Sequence, residues 1–354
     1  MTEPMTSTPW NADDNAAPTL RSRNASRLVA QAEAAATAPP FDSIPEIDVA
    51  PMAGTDLDAR RAVGAELRQA CLEVGFFYVT GHGVDPTAVE AAFACTERFF
   101  ALPAEDKAAV SILHSDKLRG YTGLLEENTD PDNAGDLHEA FDIGLELAAE
   151  DPDADGDTYG WGHNQWPALD GFRDDVLAYY DEMRALCDRL YRAFALSLDL
   201  DESFFTDKMT KPIGELRLLR YPGQPERHDD VLGIGAHSDY DAFTVLATDE
   251  HEALEILNPA GDWIRVPPRT DAFIVNVGDL LERWTNDLYR STVHRAVNLG
   301  HHDRLSIPFF SNIDPMETVA VLESCQSAER PARYPPVQAG PYVEACMQEA
   351  YGVG

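Results

Sequence analysis

The peptide Gly233-Ile234-Gly235-Ala236-His237-Ser238-Asp239-Tyr240 sets an imidazole and a carboxylate two positions apart. On an extended chain alternate side chains share a face, so His237 and Asp239 can aim at one centre while Ser238 turns away. A second imidazole, His294, stands far downstream in Ser291-Thr292-Val293-His294-Arg295, which also reads as extended. Two imidazoles and one carboxylate on one side of a metal form a facial triad suited to Fe(II), with positions left open for a bidentate co-substrate and dioxygen. A His-x-Asp tripeptide alone is common, and the next element gives it weight. Arg304-Leu305-Ser306 again puts two polar side chains on one face of an otherwise apolar run (Leu305, Ile307, Phe309). An inward arginine there is costly unless it meets an anion. A guanidinium fork beside a serine hydroxyl suits the distal carboxylate of a dicarboxylate. The competing reading is a structural salt bridge near the end of a barrel.

The elements that must position these residues can be read from periodicity. Ile44–Asp48 is a short extended segment, and helix signals run from Leu57 to Glu73. Val74–Val79 reads as a buried strand closed by the turn Thr80-Gly81-His82-Gly83. A helix starts after Asp85-Pro86, with proline at its first position, and runs to about Phe100. Residues 114–168 look loop-rich and carry the densest acids. Val176, Met183, Cys187, Leu190, Phe194 and Leu198 form one apolar stripe over a helix at Phe172–Leu198. From Ile213 onward the texture changes to short strands, Glu215–Tyr221, Phe243–Ala247, Leu254–Leu257, Ala272–Val277 and Leu305–Phe310, between Gly, Pro and Asp turns. Helices followed by many closely spaced strands predict a mainly β barrel or double sheet with flanking helices.

Composition bounds the partners. The 354 residues hold 62 Asp and Glu against 27 Lys and Arg, a net charge of −35. Such a chain is a poor partner for nucleic acid or an anionic membrane, whose phosphates need basic patches. Only four of the 27 basic residues are lysines (Lys107, Lys117, Lys208, Lys211), and an acidic shell of this kind fits either a high-salt medium or a GC-rich genome. No run approaches the roughly 18 apolar residues of a membrane span, and no secretory leader is visible. Five scattered cysteines (Cys71, Cys95, Cys187, Cys325, Cys346) without a CxxC pair predict a reducing, cytoplasmic setting and exclude a cysteine-built zinc site.

Taken together and in order, Gly75-Phe76-Phe77 with Gly81-His82-Gly83, Leu216–Tyr221-Pro222, His237-Ser238-Asp239, His294 and Arg304-Leu305-Ser306 resemble the isopenicillin N synthase-like branch of the Fe(II)/2-oxoglutarate-dependent dioxygenases. The resemblance covers roughly Ile44 to Asn312. It implies a double-stranded β-helix, or jelly roll, with flanking helices. It further implies Fe(II) on His237, Asp239 and His294, and the 2-oxoglutarate C5 carboxylate on Arg304 and Ser306 with Tyr221 as an additional hydrogen-bond donor. Many members carry an asparagine two residues before that tyrosine; here the position is Leu219. The implied reaction spends dioxygen and 2-oxoglutarate, releases succinate and CO2, and oxidises a small molecule, most simply by hydroxylation, with desaturation or ring closure as variants. On this reading 1–43 is a mobile arm and 44–354 a single oxygenase domain: a helix-rich part at 44–212, a jelly-roll core at about 213–312 and a C-terminal segment at 313–354.

Substrate contacts are expected at Glu139, Tyr121, Phe243 and Phe310. Leu137-His138-Glu139-Ala140-Phe141-Asp142 is similar to a stretch of the bacterial ethylene-forming enzyme whose acid meets a cationic substrate, while Phe243 and Phe310 could wall the iron pocket. Asp151-Pro152-Asp153-Ala154-Asp155-Gly156 mimics the start of a calcium loop but has Gly162 where the closing Glu should stand. His163 reads as structural, and His301-His302 sits in a turn. The alternatives are a 2-oxoglutarate-independent oxidase of the isopenicillin N synthase type, in which Arg-x-Ser holds a substrate carboxylate, an ethylene-forming-type oxygenase, and a non-catalytic jelly-roll binding protein. Oligomeric state is open.

Overall fold

The computed structural model describes residues 40–129, 135–148, 150–224 and 231–350. Most of the expected N-terminal arm lies outside the described residues. Among the described residues two facing sheets form the core, and Thr318–Val319 pairs with Val337–Gln338 as a separate two-stranded sheet. The larger has eight strands: β1 (Glu46–Asp48), β2 (Phe76–Thr80), β3 (Gly120–Thr122), β4 (Glu139–Ile143), β5 (Gly214–Tyr221), β7 (Phe243–Thr248), β10 (Phe273–Val277) and β12 (Arg304–Ser311), in the order β1-β2-β10-β7-β12-β5-β4-β3. The smaller has β6 (Ile234–His237), β8 (Leu254–Leu257), β9 (Trp263–Arg265) and β11 (His294–Ala296), in the order β6-β11-β8-β9. From β5 to β12 the chain passes repeatedly between the two sheets, and that alternation is the jelly roll.

Helices cover the outer face of the large sheet. They are α1 (Leu57–Glu73), α2 (Pro86–Phe100), the short α3 (Ala104–Ala108) and α4 (Phe172–Ser197). The starts of α1 and α2 are specified locally. Asp56 accepts from the amides of Asp58 (3.0 Å) and Ala59 (3.3 Å), and Asp85 accepts from Thr87 (2.9 Å) ahead of Pro86. Each such cap contributes about 1 kcal/mol. The whole stripe on α4 is buried, and its Phe194 packs on Phe243 of β7 at 5.0 Å between ring centroids. Burying one such side chain stabilises the fold by about 1.5–3 kcal/mol. Gly75, at φ +77, turns the chain from α1 into β2; a Cβ there would lie 2.2 Å from the Arg290 carbonyl oxygen.

The strands expected from alternation are all present to within two residues. Two features departed from expectation. The loop-rich region at 114–168 contains β3 and β4, which exist because β5 supplies their hydrogen-bonding partner from far along the chain. Beyond the core, α5 (Asp279–Trp284) links β10 to β11, and a C-terminal helix, α6 (Ala339–Ala350), returns to the barrel. Among the described residues no helix is long and apolar enough to cross a membrane.

Candidate active site

His237 ends β6, and His294 stands directly opposite it on β11, so strand pairing alone brings the two imidazoles together, with ring centroids 4.3 Å apart. Asp239 lies just past the end of β6 rather than on the strand, yet its Oδ1 is 3.6 Å from His237 Nε2 and 3.5 Å from His294 Nε2. One ligand atom from each residue falls within 4.8 Å of the others, the one such group of potential metal ligands among the described residues.

The surrounding bonds prepare these atoms to bind a cation. Nδ1 of His237 faces the Gly235 carbonyl (2.8 Å) and Nδ1 of His294 faces that of Thr292 (3.2 Å). With Nδ1–H donating there, each Nε2 presents its lone pair to the centre. Burial, and after it the neighbouring His237, lower the His294 pKa to about 4, so the ring is neutral at pH 7. Burial opposes ionisation of Asp239, but the two imidazoles and the bonds from Asn276 and Thr244 outweigh it and hold the carboxyl below its ordinary range. Asn276 Nδ2 (2.7 Å) and Thr244 Oγ1 both donate to Oδ2, which leaves Oδ1 as the oxygen turned to the imidazoles. The Asp239 carbonyl accepts from the Asp279 amide (2.8 Å), and Asp279 is itself held by Ser291 (2.6 Å) and Ser238 (3.3 Å). Ser238 thus turns away from the centre, as alternation predicted.

Arg304, Ser306 and Tyr221 meet at one end of the cavity that these groups line. Arg304 is 2 % exposed, and no carboxylate lies within ion-pair distance among the described residues. Its guanidinium sits over the Tyr221 ring (4.8 Å), Nη1 reaches Ser306 Oγ (3.4 Å), and Nε has no partner among them. A structural salt bridge is therefore not what holds this arginine. A buried, unpaired guanidinium with two hydroxyls is a receptor for an anion. The donor set fits Fe(II), and the arginine pocket fits a dicarboxylate co-substrate.

Of the four expected substrate contacts, Phe310 lines the cavity and the other three do not. Glu139 and Tyr121 stand on the helix-facing side of the large sheet. There Glu139 is bound by Lys107, Tyr121 and Arg220 and is 3 % exposed, a buried ion cluster rather than a pocket wall. Phe243 also faces the helices, against Tyr191 and Phe194. The reason is strand parity: β4 pairs Glu139 with Arg220 and Ala140 with Leu219, so Ala140 and Asp142, not Glu139, share the inner face. The acids of the calcium-like loop are engaged by a cation already, since Lys211 pairs with Asp151 (2.9 Å) and with Asp153. His163 is tied to Asp155 at 3.1 Å.

Several cavity residues went unrecognised in the sequence. Arg217 on β5 forks onto Glu127 and lies 3.0 Å from Asp142; Glu127 also meets His138 Nε2 at 3.1 Å. Glu215, Asp241, Val343 and Met347 line the same space, which encloses ≈ 110 Å³. Alternation could have found Glu215 and Arg217, because an inward Tyr221 implies inward 219, 217 and 215. Nothing local signals that α6 brings Val343 and Met347 to the cavity.

Comparison with known proteins agrees with this geometry. Residues 44–169 match the family described as non-haem dioxygenase in morphine synthesis N-terminal, and residues 213–313 match the 2OG-Fe(II) oxygenase superfamily. The chain is 35 % identical to the 2-oxoglutarate-Fe(II) type oxidoreductase hxnY of Emericella nidulans, over 90 % of this chain and 92 % of that one. It is similar to a full-length Neurospora crassa protein crystallised in complex with alpha-KG and thymine (TM-score 0.76, 27 % identity, 86 % of this chain and 97 % of that one). It is also similar to a 2OG-Fe(II) oxygenase family protein of Caulobacter crescentus (TM-score 0.77, 28 % identity, 87 % and 99 % covered). The inward His-Asp-His group, the unpaired arginine and these relatives agree: the chain belongs to the isopenicillin N synthase-like Fe(II)/2-oxoglutarate-dependent oxygenases and is a dioxygenase acting on a small molecule.

Proposed function

We propose that His237, Asp239 and His294 hold the Fe(II), that Arg304, Ser306 and Tyr221 receive the distal carboxylate of 2-oxoglutarate, and that the reaction hydroxylates a C–H bond of a small nitrogen-containing or heterocyclic substrate. The observation that carries the assignment is the convergence of two imidazoles and one carboxylate in a cavity that also holds an arginine with no ion-pair partner among the described residues. Bound Fe(II), with 2-oxoglutarate and dioxygen, supplies the oxidising chemistry that releases succinate and CO2.

The protein's own part is binding, orientation and exclusion of water. The Gly235 and Thr292 carbonyls fix the ring orientations, and Asn276 and Thr244 fix the carboxylate, so the donors need no rearrangement to bind metal. Arg304 neutralises the co-substrate's charge in a site too buried for water to do so, and Ser306 and Tyr221 add directed hydroxyls. Phe76, Leu219, Ile234, Leu246 and Leu254 give the chamber apolar walls that shield a reactive centre from solvent. The Neurospora crassa protein is seen with thymine and with 5-formyluracil, which supports a flat, polar small molecule as the class of substrate. The reading as an ethylene-forming-type enzyme loses its ground, because it rested on Glu139. Five free, buried cysteines are in keeping with a reducing, cytoplasmic location.

Metal analysis of purified variants tests the ligand set. Wild-type protein is expected to bind one Fe(II) per chain, and His237→Ala, Asp239→Ala and His294→Ala to lose it, while His302→Ala keeps it. An Asp239→Ala protein that retained one iron and oxygen-dependent succinate release would contradict the assignment.

A further inference from the structure

Glu215 stands at the level of the metal group. In the pairing of the large sheet, Glu215 is opposite Phe310, Phe310 opposite Thr244, and Thr244 opposite Asn276. The last two residues of that row hold Asp239. Glu215 therefore lines the same chamber as the His-Asp-His group, away from the Arg304 end. Its carboxylate makes no hydrogen bond or ion pair with any described residue. Its two nearest cations are committed elsewhere: Arg217 to Glu127 and Asp142, and Arg119 to the carbonyls of Gly162 (2.6 Å) and Gly160 (2.7 Å).

A second acid shares this wall. Asp241 is 7 % exposed, and Oδ1 accepts from Asn312 Nδ2 (3.2 Å), while Oδ2 has no partner among the described residues. Thr129, buried to the same degree and lining the same chamber, has an Oγ1 that is also without a partner among them. Carboxyl oxygens that face a chamber have only solvent or a ligand to pair with there, and a ligand that brings donors satisfies them. Phe310, paired with Glu215 on the neighbouring strand, and Val343 and Met347 line the same chamber with a soft apolar surface.

We propose that the substrate is an N–H donor, neutral or cationic, whose nitrogen is held by Glu215 and Asp241 and whose apolar body rests on Phe310, Val343 and Met347. Compounds that would present a carboxylate to this wall meet two carboxyl groups there, while the nearby Arg217 and Arg119 are committed to other partners, and are rejected. This rests on the reading of the cavity as an oxygenase substrate chamber, and it names the chemistry which that chamber selects.

Benzamidine, benzamide and benzoate form a matched series of one size with charge +1, 0 and −1. Their affinities can be measured by calorimetry on anaerobic protein saturated with Fe(II) and 2-oxoglutarate, so that the Arg304 pocket is filled. Benzamidine is expected to bind at least about tenfold more tightly than benzoate, with benzamide between them. Glu215→Gln should narrow that ratio and Glu215→Lys should invert it, each variant first shown to form the visible 2-oxoglutarate–iron band. Benzoate binding as tightly as benzamidine in wild type, or a ratio unchanged in both variants, would overturn the proposal. A wild-type protein forming no 2-oxoglutarate–iron band would instead strike at the assignment of the metal and co-substrate sites.

Discussion

Asp239 is fixed through both carboxylate oxygens, Oδ1 toward the imidazoles and Oδ2 by Asn276 and Thr244. That division of labour makes Asn276 a positioning residue: it touches the carboxylate and not the reacting atoms. Asn276→Ala should weaken Fe(II) binding by about 10- to 100-fold, as is typical when a partner of a metal ligand is lost. The readout is metal affinity by competition with a chelator, together with the ratio of succinate to oxidised product, which should rise as the centre loses its alignment. An unchanged affinity would show that Thr244 alone suffices. At this scale the sequence was informative where a residue's chemistry implied its surroundings. An arginine amid apolar strand residues, and imidazole and carboxylate two apart, could be interpreted without a fold. Glu139 could not, because its role depends on which face of β4 it takes, and a shift of one residue reverses that face.

At the scale of elements, β6 is an edge strand that carries His237, and its free edge is held by residues 136–138. Asp136 Oδ1 accepts from the Gly235 amide (2.8 Å), the Leu137 amide donates to the Leu232 carbonyl (2.8 Å), and His138 Nδ1 meets the Gly233 carbonyl (2.9 Å). Asp136→Ala should therefore cost about 1.5–3 kcal/mol of stability, the range for a bond to a charged acceptor. It should also lower iron affinity, because it loosens the strand that bears a ligand. Denaturant unfolding of iron-free protein separates the two effects, and an unchanged midpoint would contradict this role for the segment. The same region holds Glu127. Burial opposes its ionisation, but Arg217 and then His138 prevail and keep the carboxyl well below its ordinary value near 4.5. Because the folded value is the lower one, its contribution to stability is full above pH 4.5 and is lost as the pH falls. Glu127→Gln should thus be destabilising at pH 7, by an amount that shrinks steadily below about pH 4.5 in urea titrations. A cost independent of pH would mean that the charge is not what matters. None of this network was legible beforehand, since β3 and β4 gain their structure from a distant strand, whereas α1 and α2 carry their own caps and α4 its own apolar stripe.

At the scale of the whole molecule, the passage of the chain between two sheets sets the metal group against the inner face of β10 and β7 while β12 and β5 supply the Arg304 pocket. The net charge of −35 bears on which partners to expect but says nothing of chemistry. Its informative members prove to be few and internal: Asp239 at the metal group, Glu127 and Asp142 on Arg217, and Glu215 and Asp241 facing the chamber. The most direct test of the central claim is an anaerobic titration of 2-oxoglutarate into Fe(II)-loaded protein, followed by visible absorption. A charge-transfer band that saturates at one 2-oxoglutarate per chain is expected, with Arg304→Met requiring at least about 30-fold more co-substrate, corresponding to loss of a buried charge-assisted pair. No band, or an Arg304→Met protein that titrates like wild type, would contradict it.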